Sequence, residues 1–192
     1  MVHRALLSKV IILLLLVFII ESCNTSIHSP ERFIRRSDAA LNHSGEKLLY
    51  HDTLFSGVLY EMYNEKDTAL SEKYLDGLKT DVSRKWFPSG RVSEERRYEN
   101  GKRIGIHQGW YPDGKKRFLY HFVNDEVDGL AEDWYADGKP MKRMNYVNGH
   151  ESGMQTAWES DGSIMANYMA KNGRNYGLTG VKNCKNVKDS IK

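Results

Sequence analysis

The sequence predicts an all-β protein, an elongated antiparallel meander or solenoid of about five 24-residue hairpin repeats. Three observations predict it. All four tryptophans, Trp86, Trp110, Trp134 and Trp158, stand 24 residues apart. A glycine follows each of them four residues later (Gly90, Gly114, Gly138 and Gly162), and an asparagine fourteen later (Asn100, Asn124, Asn148 and Asn172). Turn-forming residues recur about every dozen positions, which leaves no segment long enough for an ordinary helix. A fixed period in three residue types decides the architecture before any local argument.

The unit is written from its first glycine. Position one is Gly57, Gly105, Gly129, Gly153 and Gly177, with Asp81 in the second copy. Position two is apolar: Val58, Val82, Ile106, Leu130 and Met154. Position six is Met62 and then the four tryptophans. Position seven is Tyr63, Phe87, Tyr111 and Tyr135, with Glu159 in the last copy. Positions nine and ten read Ser-Gly or Asp-Gly in four copies. Position eighteen is Tyr74, Tyr98, Phe122 and Tyr146, then Ala170, and position twenty-one is Gly77, Gly101, Gly149 and Gly173, with Asp125 the exception. The units span roughly 57–176, inside a repeat domain set at 51–180.

Each unit has the chemistry of a hairpin. Two runs rich in aromatic and β-branched residues flank the Ser-Gly or Asp-Gly pair. That pair predicts a tight hairpin turn, because its residues tolerate positive φ. A second turn, at Asn100-Gly101 and its equivalents, reverses the chain before the next unit begins. Side chains alternate along a strand, so positions two and six point one way. Positions twelve, fourteen, sixteen and eighteen then share a face, which gathers Phe118, Tyr120 and Phe122 in the third unit. The tryptophans and the glycines after them read as framework. The repeat-variable, outward positions are the better place for recognition.

The segment Gly105-Ile106-His107-Gln108-Gly109-Trp110-Tyr111-Pro112-Asp113-Gly114, followed downstream by aromatic-x-Asn, resembles the bacterial MORN-repeat variant, the repeat also found in YwqK-type antitoxins. The resemblance covers about two thirds of the chain. It implies a β-repeat scaffold, and it implies a toxin-neutralising role only through the family label.

Residues 1–22 read as an export signal. Arg4 and Lys9 give a positive start, and Val10 to Ile20 is an unbroken apolar run. That run is short for a bilayer span and fits a signal core. Ile20-Glu21-Ser22-Cys23 resembles the bacterial lipoprotein cleavage box, so Cys23 is expected to become the first mature residue and to carry lipid. A plain secretory signal and an uncleaved anchor are the alternatives. Residues 23–50 are expected as a lipid-attached flexible linker, and Leu48 to Tyr60 as a possible cap for the first unit. Residues 181–192 are a basic tail.

The net charge of +3 is close to balance. It leaves no electrostatic footprint for nucleic acid. The clusters Lys115-Lys116-Arg117 and Arg96-Arg97 read as solvated strand faces. With Cys23 lipidated, Cys184 has no partner within the chain. No Cys/His spacing suggests zinc, and His107 with His121 reads as strand surface. Adjacent acids such as Glu94-Glu95 and Glu132-Asp133 point to opposite faces of a strand and cannot serve one substrate. No metal, cofactor or catalytic residue is therefore expected, and no enzyme. The expectation is a lipid-anchored protein of the bacterial cell envelope, held to the membrane by its N-terminal lipid. There it acts as an interaction or envelope-structure module with a protein partner. The alternative is an immunity-type antitoxin.

Overall fold

A computed structural model describes residues 32–180, all strand and turn without a helix. The signal segment, Cys23 and the basic tail lie outside the described residues. The strands are β1 (Phe33–Arg35), β2 (Leu41–Ser44), β3 (Lys47–Tyr50), β4 (Thr53–Leu54), β5 (Gly57–Met62), β6 (Thr68–Leu75), β7 (Leu78–Trp86) and β8 (Val92–Glu99). They continue as β9 (Lys102–Trp110), β10 (Lys116–Val123), β11 (Glu126–Val127), β12 (Gly129–Trp134), β13 (Pro140–Val147), β14 (His150–Trp158), β15 (Ile164–Lys171) and β16 (Arg174–Leu178).

From β5 to β16 the strands pair antiparallel in chain order in an open meander, except that β10 pairs with both the short β11 and β12. Five hairpins follow one another, and β16 begins a sixth unit. At the N-terminal end β1 lies parallel to β5, and β2, β3 and β4 form a separate small sheet. Leu48, Phe55, Leu59 and Tyr74 bury one another there. The linker expected at 23–50 is thus corrected over 32–50. Its apolar residues Phe33, Leu41 and Leu48 enter three strands, and the cap starts earlier than Leu48.

The two turns of a unit differ, and this refines the expectation from Asp-Gly. At Trp110 the Tyr111 amide donates to the Lys115 carbonyl and the Gly114 amide donates to the Tyr111 carbonyl. Only the glycine has positive φ, +79° at Gly90, +92° at Gly114, +94° at Gly138 and +89° at Gly162. This is a type I turn closed by a left-handed glycine in a bulge. Asp113 stays at negative φ, and its Oδ1 accepts the Lys115 amide at 3.1 Å. The second turn is the two-residue kind with both φ positive: Asn100 at 49° with Gly101 at 82°, Asn148 at 48° with Gly149 at 75°. These hairpins are the type I′ that suits the twist of the sheet.

Position one carries a second bulge. In β9 Arg97 faces Ile104 while Glu95 faces Gln108, so β9 holds two extra residues around Gly105. The same slip occurs between Ser71 and Lys73 and between Met144 and Tyr146. Positive φ at Gly105, Gly129 and Gly153 serves this bulge, and Asp81 adopts 60° in their place.

Pairing fixes the faces. One buries Phe118 and Phe122 with Tyr120 between them, ring centroids 5.1 and 6.4 Å apart. Position twelve leaves this set, because a register shift separates Lys116 from Phe118. The other face carries the tryptophans, all half-buried.

Candidate interaction surface

Hydrogen bonds between successive units hold the surface in shape. The position-seven hydroxyl of one unit donates to the tryptophan carbonyl of the next: Tyr63 to Trp86 at 2.8 Å, Tyr111 to Trp134 at 2.7 Å and Tyr135 to Trp158 at 2.8 Å. Phe87 has no hydroxyl for Trp110. Position eleven adds a cation-to-carbonyl bond, Arg91 to Pro112, Lys115 to Ala136 and Lys139 to Ser160, each at 3.2 Å. At the opposite hairpin tips the Gly101, Asp125 and Gly149 amides donate to the Lys79, Arg103 and Val127 carbonyls of the preceding unit. Asp125, the exception to glycine, also accepts from the Arg103 amide at 2.9 Å. The tryptophan positions therefore join units through their backbone, and the buried aromatic row belongs to positions fourteen to eighteen.

The charged residues are mostly spent inside the sheet. Glu94 takes Arg117, Arg96 and Lys85 together. Burial pushes its carboxyl up, and those three cations overcome it and hold it below the usual range. Glu95 meets Arg84 at 2.9 Å instead. Asp133 accepts the Tyr120 hydroxyl, and Glu132 pairs with Arg143 at 2.8 Å. The adjacent acids thus have separate partners. Burial, then the bond to Asp133, raises the Tyr120 hydroxyl. Burial and the bond to Glu151 push Tyr168 up to about 12. The turn aspartates Asp113 and Asp137 sit below the usual range, each because the amide two residues on donates to it.

The basic clusters are likewise engaged: Lys116 lies over the Trp134 ring and Arg96 over the Phe118 ring. His107 and His121 do not converge. His107 is buried at 1 % exposure, whereas His121 is exposed and bonds the Asp128 carbonyl at 3.2 Å. Among the described residues no group of three or more His, Cys, Asp or Glu is placed to hold a metal ion.

An apolar set also stays outward. Ile106, Leu130 and Met154 at position two are exposed by 50, 41 and 44 %. Val123 and Val147, at position nineteen, are exposed too. Ile106 faces His121, Leu130 faces Asn145 and Met154 faces Met169, so the row runs through three hairpins on the tryptophan face. Sequence reading recorded position two as apolar without showing it outward. Alternation along β9 decides that: Ile106 shares the face of Gln108 and Trp110, while His107 and Gly109 lie on the buried one. A glycine ahead of an apolar–polar pair inside a strand was the available signal.

Comparison with known proteins agrees with the repeat. Residues 127–148 match the family model described as a MORN repeat variant. The match covers most of one unit, including β12 and β13. None of the curated proteins compared matches the chain. Solved structures similar to the chain include two of TarM. One is an S. aureus TarM mutant in complex with fondaparinux, alpha-GlcNAc-glycerol and UDP, at 15% identity and a TM-score of 0.30, over 50% of this chain and 19% of that one. The other is TarM at 16% identity and a TM-score of 0.30, over 52% and 20%. The matched part is thus about a fifth of TarM. The expectation that the chain is no enzyme is corrected by this finding, since the neighbours found are structures of TarM, one holding UDP. A TM-score of 0.30 assigns this chain no reaction of its own.

Proposed function

We propose that the chain is an exported, lipid-anchored β-repeat protein of the cell envelope that holds a protein partner on its tryptophan face. One observation supports the binding role above others: the exposed row Ile106, Leu130 and Met154, repeated by the 24-residue period on an open sheet. Exposed apolar side chains gathered on one face mark a candidate interaction site, and here they recur on every second strand with His121 and Asn145 between them. The staples between units hold the row's spacing, so it presents a spaced set of contacts to one partner. The anchor rests on the signal-like run and Cys23 in the sequence.

Two experiments test the two halves separately. Labelling with a palmitate analogue should mark the chain and fail in Cys23→Ser; label persisting in that variant would sink the anchor. A photocrosslinker placed at Leu130 should capture a protein partner from envelope fractions. Substituting Ile106→Asp and Met154→Asp together should abolish the capture. A crosslink that survives both substitutions refutes the apolar row as the contact.

A further inference from the structure

Position three of each unit follows the bulge and points inward: Ser83, His107, Ala131 and Gln155, all buried. In two units it bonds the backbone of the facing residue at position seventeen. Gln155 does so with two atoms. Its Oε1 accepts the Asn145 amide at 3.0 Å, and its Nε2 donates to the Asn145 carbonyl at 2.8 Å. His107, one step of two units earlier, has one atom for both tasks. Its Nε2 lies 3.2 Å from the Arg97 amide nitrogen and 2.8 Å from the Arg97 carbonyl oxygen.

A single imidazole nitrogen accepts or donates, not both. In either neutral tautomer one Arg97 group therefore lacks its bond to the ring. The other ring nitrogen, Nδ1, is buried with no hydrogen-bond partner. A second ring proton would have to sit there. The ring is packed between Tyr98 of β8 and Phe122 of β10, centroids 5.6 and 4.5 Å away. Tyr120 of β10 stands opposite it in the register. The cations around this stack are each paired with a carboxylate: Arg96 on β8 with Glu94, Arg103 on β9, over the Phe122 ring at 4.4 Å, with Asp125, and Lys79 on β7, over the Tyr98 ring at 5.4 Å, with Glu72.

We infer that His107 makes the joint between the second and third units acid-sensitive: a protonated ring leaves its place in the sheet and frees the Arg97 backbone. The direction of its proton affinity agrees. Burial lowers it first, Arg96 and Arg103 lower it further, and the Arg97 and Ile104 carbonyls only partly offset them. The folded ring thus binds a proton less readily than the unfolded one. Its contribution to stability is complete above the ordinary histidine value of about 6.5 and is lost as pH falls below it.

Native-state amide exchange of the full chain tests this, read at Arg97 and, as internal control, at Asn145. After correction for intrinsic exchange, the Arg97 opening constant should rise by up to about tenfold per pH unit below pH ~6.5, while Asn145 stays flat. In His107→Gln, which copies Gln155, the Arg97 response should vanish. Equal responses at Arg97 and Asn145, or an undiminished Arg97 response in the variant, overturn the inference. If His107→Gln does not fold, NMR titration of the wild-type imidazole decides. A ring still neutral well below the ordinary range supports the joint, and a ring that titrates at the ordinary value refutes it.

Discussion

Phe87→Tyr should stabilise the array, because the structure holds an acceptor waiting for the new hydroxyl. The unit is repeated closely enough to read the geometry from its neighbours. Tyr63, Tyr111 and Tyr135 donate to the carbonyls of Trp86, Trp134 and Trp158 at 2.7–2.8 Å. Phe87 occupies the same position ahead of Trp110, with the same turn hydrogen bonds to Arg91 and Gly90. A net intramolecular hydrogen bond contributes about 0.5–1.5 kcal/mol. The position is half-buried, so water already serves the Trp110 carbonyl in part, and about 0.5–1 kcal/mol is expected. For a chain of this length that is a rise of roughly 1–4 °C in melting temperature. Urea and thermal unfolding of wild type, Phe87→Tyr, Tyr111→Phe and Tyr135→Phe form the assay. The two removals should cost about as much as the addition gains. If all three variants unfold with wild type, the hydroxyl staples do not hold the units together and the reasoning fails.

Gly109→Ala should destabilise by about 1–3 kcal/mol, since a Cβ there would run into the Phe118 ring. Phe118→Leu in the same chain should recover part of the loss, as urea midpoints will show. Glu94→Gln should lose about 1–2 kcal/mol at pH 7, because Arg96, Arg117 and Lys85 lose their shared carboxylate. The folded carboxyl lies below its unfolded value, so its stabilisation is present above about pH 4.3 and disappears as pH falls through the folded value. Unfolding curves of wild type and Glu94→Gln should therefore converge in acid, and parallel curves would refute the assignment. Lys139→Met removes the bond to the Ser160 carbonyl and an exposed ion pair with Asp137, and should cost no more than about 1 kcal/mol by thermal unfolding.

The period, the strand content and the existence of two turns per unit were legible in the sequence, because each rests on local chemistry. Asn100-Gly101 favours positive φ at both residues, as its hairpin turn requires. Phe118 and Phe122 could be placed on one face by counting in twos. The staples and the inward plugs were not legible, because they depend on register across strands. A bulge at position one adds two residues to one strand, and nothing in a periodicity count reveals how the partner strand absorbs them. Tyr111 and Phe87 look equivalent in sequence until the Trp134 carbonyl is seen beside the Tyr111 hydroxyl.

The bulge also explains why the candidate surface and the acid-sensitive joint arise together. An unbroken ladder would leave no backbone group for a side chain to serve. The bulge at the left-handed glycine opens the ladder once per unit, and its two extra residues keep the side-chain alternation. Just beyond the glycine an apolar side chain at position two points outward, Ile106, Leu130 or Met154. Next to it a polar side chain at position three points inward, His107 or Gln155, onto the facing backbone. Binding row and plug are thus two sides of one backbone feature. Opening the plug at His107 must shift Ile106, its neighbour in the chain, while Met154 beside Gln155 keeps its place. Acid should therefore weaken contact at one end of the row before the other, and crosslinking from Ile106 and from Met154 at pH 7.5 and 5.5 measures that difference. Equal loss at both positions would mean that acid acts on the partner or on the whole sheet instead of on this joint.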